Sequence, residues 1–494
     1  MQKDLRNPMK VEFNNRVDYC VGTGRMGLAL QKEYMEQLKL VQKEIGFSHI
    51  RGHGLFSDDM AIYQEYEDRK TGERIIEYNF TYLDLVMDNY REVGLKPFLE
   101  LGFMPKKMAS GEQTIFYWRG NVTPPKDYSL WCDLVVATLK HLMDRYGKEE
   151  VLTWPIEVWN EPNLPGFWKG ADMQEYFRLF EETFRAIKAL DPAFRVGGPA
   201  ICGVKDEFWI EEFMKFIREK KLAVDFITRH HYTTGQHDFN GHYTYAPLED
   251  QEFRFNNLHS TRTIVDSFEE YKGLPIHITE FNTSYTPNCV IHDTNLNAAY
   301  LAQHLSRLGD DNESYSYWTF GDIFEEMGVP YTPFHGGFGM VANRSIPKPT
   351  FHTFSFYKKL QGECIWRDND MIAVKNEDGS IRIVAWNVCE KEEERKDKEI
   401  SVTLPLAEGE YSVVKQLVDE ENCNPRKIWH DLGEPSSLSD EQAELLRRAA
   451  LPFISSERIK AGCDLTLTLK PNAVIYLEVR PSVMTSDRGF RFDH

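Results

Sequence analysis

The chain has 494 residues, a formal net charge of −19 and 41% hydrophobic residues. That length exceeds one ordinary domain and fits a barrel of about 250–300 residues with an accessory domain beside it. The acidic balance argues against nucleic acid and anionic membranes as partners, and it weighs mildly against an anionic substrate unless a local basic pocket overrides the mean. No run of eighteen apolar residues occurs, and the polar start Met1 to Pro8 lacks an apolar core, so neither a membrane span nor a signal peptide is expected. The eight cysteines are scattered without CxxC spacing, which disfavours zinc and points to free thiols in a reducing cytoplasm.

In chain order, residues 1–15 are polar, and Met9 to Phe13 alternate like a strand lent to a sheet elsewhere. Val17 to Val21 reads as a first strand. Leu30, Tyr34, Leu38, Val41 and Ile45 lie at helical spacing, with Gly46 as a cap. Phe47 to Arg51 is a second strand, running out at Arg51 and His53. Ala61 to Tyr78 reads as a hairpin with Thr71 and Gly72 at its tip. A helix from Tyr82 to Val93 leads to a third strand, Lys96 to Leu101. The loop from there to Pro125 carries Phe116, Tyr117 and Trp118, and a loop of that length on a compact fold points to function. Then come a helix (Leu130 to Tyr146), a fourth strand (Ile156 to Asn160), a helix (Met173 to Ile187) and a fifth strand (Phe194 to Gly198). A helix (Phe208 to Glu219), a sixth strand (Val224 to Thr228) and a helix (Thr261 to Tyr271) follow. Last are a seventh strand (Ile276 to Thr279), a helix (Leu296 to Leu308) and an eighth strand (Ser314 to Phe320). Eight strands alternating with helices predict an α/β fold, a (β/α)8 TIM barrel.

After Pro349 the apolar period changes to two. Ile381, Ile383 and Ala385 alternate with other residues, as do Leu465, Leu467 and Leu469, and Ile475, Leu477 and Val479. This predicts an accessory antiparallel β-sandwich. Ser439 and Gln442 form a capping box that opens a short helix around 439–450, stopped by Pro452. The charge run Glu390 to Lys398 reads as a solvated loop. The expected division is a barrel at 16–330, with 1–15 and 331–494 forming the sandwich and its helix.

Two strand ends carry the chemistry. The fourth strand runs into Asn160, Glu161 and Pro162, and proline has no N–H to continue a ladder, so the strand must stop there. A single Glu-Pro would be only a polar loop; the nearby Trp154, Trp159 and Trp168 favour a sugar site, because rings stack on the C–H faces of sugars. The seventh strand ends in Glu280. Roughly three βα units separate the two glutamates, so both point into one mouth of the barrel. Paired carboxylates across a glycosidic bond are what its hydrolysis requires.

Trp159 to Asn163 and Ile278 to Asn282 resemble the two catalytic segments of the clan of retaining (β/α)8 glycoside hydrolases. Asp225 to Tyr232, Tyr315 to Phe320 and Pro333 to Gly339 narrow the resemblance to family 39 of the glycoside hydrolases, over roughly Val17 to Pro349. That family holds bacterial β-xylosidases and the α-L-iduronidases. The resemblance implies Glu161 as acid/base and Glu280 as nucleophile. It implies Asn160 at the sugar 2-OH, Tyr232 steadying the nucleophile, and His53 and His230 at the sugar, with His231 turned away. Phe116 and Trp318 are candidate stacking walls, Phe116 being nearly as well explained by core packing. Tyr285 can approach the ring oxygen. Glu326 is favoured over Glu325 for distal hydroxyls. The stretch His335 to Gly339 either bends into the site or turns towards the sandwich. No metal or cofactor is expected.

The implied activity is a retaining, exo-acting β-D-xylosidase on short xylo-oligosaccharides, in a homotetramer. The nearest alternative is an α-L-iduronidase, whose anionic substrate calls for Lys or Arg at the site, and Lys169 and Arg229 lie near the motifs. A non-catalytic carbohydrate-binding protein is expected to have lost one of the carboxylates; here both are present.

Overall fold

The computed structural model describes residues 1–8, 11–330 and 332–482. Its central sheet is parallel throughout. The strands are Cys20–Arg25, His49–His53, a third strand in two pieces, Pro155–Val158, Arg195–Ile201, Phe226–Tyr232, Ile276–Asn282 and Ser314–Tyr317. The third strand breaks at Phe98. Its first piece, Lys96–Pro97, pairs with the second strand, and its second piece, Leu99–Leu101, pairs with the fourth. The ladder therefore begins and ends on the same strand and returns on itself, the topology of a (β/α)8 barrel. Both faces of such a sheet are covered, which is why Ile276–Asn282 is buried at every position.

The helices between the strands bury one apolar face each. Met173–Leu190 presents Phe177, Phe180, Phe184 and Ile187 inward, and the Asp172 side chain accepts hydrogen bonds from the N–H groups of Gln174 and Glu175 at its start. The last barrel helix is Pro349–Lys358. It packs on Asn295–Leu305, with Thr353 Oγ1 donating to the Ala298 carbonyl at 3.1 Å and Tyr357 OH donating to that of Ala302.

Several boundaries differ from the sequence pattern. The first strand starts at Cys20, because Tyr19 N closes a turn onto the Arg16 carbonyl. The fourth strand ends at Val158, because Trp159 and Glu161 take φ of 73° and 44°. The sixth helix runs from Gln251 to Asp266, starting well before Thr261, with Asp250 capping Phe253 N. Its first turns are too polar to show an apolar stripe. The N-terminal strand is Gln2–Asp4, parallel to Lys398–Thr403. Residues 11–13 belong to no strand, and Met9 and Lys10 lie outside the described residues.

Beyond the barrel, Gln2–Asp4, Lys398–Thr403 and Asp464–Leu469 form one sheet, and six antiparallel strands between Glu363 and Pro481 form another. One apolar cluster, including Ile383, Val413, Leu477, Ile400, Val402 and Leu467, takes residues from both. A helix, Asp440–Ala449, opens on Ser439, whose Oγ accepts from Gln442 N while Gln442 Oε1 accepts from Ser439 N. All eight cysteines are free thiols. Among the described residues no helix is long and apolar enough to cross a membrane.

Candidate active site

Charged side chains inside apolar strands must find partners, since an unpaired buried charge is costly. Arg51, Glu100 and Glu157 are wholly buried in strands two, three and four. Arg51 Nε donates to Glu157 Oε2 (2.6 Å), Nη1 to Glu280 Oε1 (2.7 Å) and Nη2 to Asn160 Oδ1 (2.8 Å), with Glu100 Oε2 2.9 Å from Nη2. Burial by itself would loosen the guanidinium proton, but the charges of Glu157, Glu100 and Glu280 outweigh it and hold Arg51 cationic. Replacing Arg51 with methionine is therefore expected to cost about 3–5 kcal/mol of stability, the scale for stranding buried charges. Urea unfolding measures this, and an unchanged midpoint would contradict the arrangement.

Glu161 follows the kink at Trp159. Its N–H is fixed to the Ala200 carbonyl on the fifth strand at 2.9 Å, and Glu161 Oε1 lies 2.8 Å from His230 Nδ1. Burial, then the nearby charge of Glu280, push the Glu161 carboxyl well above the usual carboxylate range. His230 goes the other way: burial, with Arg51 and His53 close by, keeps the imidazole neutral. Its Nδ1 is also 3.4 Å from Glu280 Oε2, so a proton on Nδ1 serves both carboxylates and selects that tautomer.

Glu280 accepts on both oxygens, from Arg51 at Oε1 and from Tyr232 OH at Oε2 (2.8 Å). Ligand atoms of Glu161, His230 and Glu280 lie within 4.8 Å of one another. The two carboxyls and the imidazole therefore converge on one point in the mouth of the barrel. The trio could also hold a cation by distance alone. Arg51 already supplies positive charge to Glu280, and the raised Glu161 pKa opposes the deprotonation that ligation requires.

A cavity of about 410 Å³ opens over these groups. His53, Phe116, Asn160, His230, Tyr232, Tyr285, Trp318 and Glu326 all line it with the two glutamates, as the sequence pattern predicts. His53 donates through or accepts at Nδ1 on Glu100 Oε2 (2.7 Å), which aims its Nε2 at Glu280 (3.5 Å) and Glu326 (3.8 Å). The Trp318 ring lies 4.6 Å from His53, and half-buried Phe116 lies 5.9 Å from it on the other side. Asn160 Oδ1 is taken by Arg51, so the hydrogen-bonding end left for a ligand is Nδ2. Tyr285 is 53% exposed at the rim, its ring 4.2 Å from His237.

Glu325 is not brought to the cavity. It turns outward onto Arg25 Nη2 (2.6 Å), because successive residues of an extended segment face opposite ways. Trp154, Trp159 and Trp168 are also not sugar walls: all three are fully buried, with indole N–H groups donating to Glu150 Oε1, the Phe167 carbonyl and the Asp172 carbonyl. Trp159 and Trp168 pack edge to face at 5.0 Å beside the Glu161 turn, whereas Trp154 packs on Tyr146 at the other end of the fourth strand. His231 points away, its Nε2 2.9 Å from His304 Nε2. The stretch from His335 does enter the site, where Phe338 lines the cavity and its carbonyl accepts from Asn282 Nδ2. Arg229 touches the cavity but is ion-paired with Asp206 at 2.7 Å, and Lys169 is exposed outside it. The other lining arginine, Arg254, is paired with Glu249.

Arg51, Glu100, Glu157 and Phe167 are not singled out by the sequence, and Phe338 only as part of the stretch His335 to Gly339. The signal for the first three was present as single charges, each within an otherwise apolar strand. For the two phenylalanines nothing in their spacing distinguishes a wall from a core.

The family profile described as "Glycosyl hydrolases family 39" matches residues 5–463. A "Beta-xylosidase" of Geobacillus stearothermophilus is 48% identical over 474 residues, covering 95% of this chain and 93% of that protein. One of Caldicellulosiruptor saccharolyticus is 36% identical over 476 residues, covering 93% and 94%. A crystal structure described as a monomeric beta-xylosidase from Caulobacter crescentus CB15 superposes with a TM-score of 0.87 at 32% identity, covering 98% of this chain and 99% of that one.

Proposed function

The chain belongs to glycosyl hydrolase family 39, and from that membership we propose that it is a retaining, exo-acting β-D-xylosidase that releases xylose from the non-reducing ends of short β-1,4-xylo-oligosaccharides. The observation that carries this is the convergence of two buried carboxyls on one cavity: burial and the charge of Glu280 raise the Glu161 pKa, and the two Glu280 oxygens are oriented by Arg51 and Tyr232.

Glu280 attacks C1 of the bound sugar while Glu161 gives its proton to the departing glycosidic oxygen. The products of this step are the shortened alcohol and a glycosyl ester on Glu280. Esterification removes the Glu280 charge, and with it one cause of the raised Glu161 pKa. Glu161, now a carboxylate, takes a proton from water as that water attacks C1. Two inversions give a β-configured sugar and restore both groups. Asn160 Nδ2 serves the sugar 2-OH, and the Glu326 carboxyl hydrogen-bonds a distal hydroxyl; burial and the charges of Glu280 and Glu161 raise its pKa. Trp318 and Phe116 wall the ring.

The pairing of both lining arginines weighs against the iduronidase reading, since a uronate carboxylate would face acidic groups without a free cation among the described lining residues. Rates on p-nitrophenyl β-D-xylopyranoside and 4-methylumbelliferyl α-L-iduronide test this. Turnover of the xyloside alone is the expected result, and turnover of the iduronide alone overturns the substrate while keeping the two-carboxylate mechanism.

The barrel, from residue 16 through the helix ending at Lys358, is the catalytic unit in this reading. The two further sheets form an accessory β-sandwich with the helix around 439–450. Free thiols support a reducing, cytoplasmic setting. Exposed Leu445, Leu451, Phe453 and Ile454 supply an apolar strip for a homotetramer. Light scattering at four chain masses is expected; a single chain mass, as in the Caulobacter protein described as monomeric, overturns that assembly.

A further inference from the structure

We propose that Arg25 is a positioning residue for substrate binding, holding the Glu326 carboxyl in the cavity by anchoring Glu325, the residue before it. This rests on the reading of Glu326 as a sugar-binding group.

Phe324, Glu325 and Glu326 follow the eighth strand and alternate in direction. Phe324 packs inward, its ring 5.3 Å from Phe338 and 6.1 Å from Trp318. Glu325 faces outward, where its Oε2 accepts from Arg25 Nη2 at 2.6 Å and its Oε1 from Gln31 Nε2 at 3.2 Å. Glu326 faces the cavity.

Little inside the cavity attracts Glu326. Its neighbours Glu280, Glu161 and Glu100 are carboxyls, which offer it no opposite charge to hold it. His53 Nε2 is 3.8 Å from its Oε1, beyond hydrogen-bond reach, and lies closer to Glu280 at 3.5 Å. The side chain is therefore kept in place by its main chain. That main chain has two pins: Tyr117 N donates to the Glu326 carbonyl at 2.7 Å, and Glu325 is tied to Arg25.

Arg25 does more than pair with one acid. It sits at the end of the first strand, and its other fork arm, Nη1, donates to Asp59 Oδ2 at 2.6 Å. Asp59 lies in the short turn Asp58–Met60, beyond the strand that ends in His53. One guanidinium thus ties the loop behind His53 to the loop that carries Glu326. The planar fork suits two carboxylates at fixed angles, which a lysine cannot reproduce. Space for it depends on Gly27, where an added Cβ would lie 2.8 Å from Arg25 Nη1 and 2.9 Å from Asp59 Oδ2. The Arg25 and Glu325 side chains are only 18% and 15% exposed, so solvent screens the pair less than a surface ion pair.

The test is steady-state kinetics on p-nitrophenyl β-D-xylopyranoside for Arg25→Met, Glu325→Ala, Glu326→Gln and the double variant Arg25→Met/Glu326→Gln. Each single variant is expected to raise KM about tenfold, the worth of one hydrogen bond to a charged group, with kcat far less affected. The Ki for free xylose should rise in parallel. The double variant should lose no more than Glu326→Gln alone, since Arg25 acts through Glu326. Arg25→Lys should recover part of the KM. Additive losses in the double variant overturn the proposal, as does a fall in kcat or Tm with KM unchanged in Arg25→Met and Glu325→Ala. Native KM and Ki in Glu326→Gln would be a different failure, removing the sugar contact on which the proposal rests.

Discussion

Glu280→Ala is expected to lower kcat on an aryl β-xyloside by on the order of 10⁵-fold or more, the scale on which losing a covalent nucleophile acts. Sodium azide is expected to restore turnover and to leave α-xylosyl azide as product. The reasoning is geometric. Glu280 is held by Arg51 at one oxygen and Tyr232 at the other, with His53 Nε2 3.5 Å away. Removing the carboxylate leaves a small, positively lined void on the same face of the sugar, which suits a compact anion. Attack from that face inverts the anomeric carbon once, hence the α-azide. Near-normal turnover together with no azide product would show that Glu280 is not the nucleophile.

Glu161→Ala is expected to split substrates by leaving group. On xylobiose, whose departing oxygen needs a proton, the loss should fall in the range of about 10²–10⁴-fold for general acid catalysis. On 2,4-dinitrophenyl β-xyloside the first step needs no proton, so the glycosyl ester should accumulate and KM should fall with kcat. Azide should here give β-xylosyl azide, because it intercepts the ester from the side of Glu161. The pH profile supplies the sign check. Burial and the charge of Glu280 raise the Glu161 pKa, so the native enzyme is active below that raised value and loses rate as pH rises through it. Glu161→Ala should lose that alkaline limb. Equal losses on both substrates, with the limb intact, would place the acid elsewhere.

The sequence spoke most clearly where covalent geometry forced its hand. A strand running into Glu161 and Pro162 has to stop, and the seventh strand puts Glu280 in the same mouth, so the meeting of the two glutamates and most of the cavity wall were readable. The barrel was readable too, since alternating strand and helix periods admit few other closures. What stayed hidden depends on contacts between distant strands. Arg51, Glu100 and Glu157 each appear as one charge in an apolar stretch, and only the closed barrel brings them together. Glu325 and Glu326 are chemically alike, and the choice between them lies with Arg25, 300 residues earlier. Trp154, Trp159 and Trp168 illustrate the opposite case: their type suggests stacking, while their indole donors are satisfied by protein and their rings are fully buried. The sixth helix was read too short because Gln251 to Asn257 alternates polar groups with phenylalanines rather than showing a stripe.

The most direct test of the central claim is the anomer of xylose first released from p-nitrophenyl β-D-xylopyranoside, followed by proton NMR in D2O before mutarotation. Double displacement through Glu280 predicts β-xylose appearing first, with the α-anomer growing only at the rate of mutarotation. Initial α-xylose would mean a single displacement by water and would contradict the role of Glu280 as nucleophile.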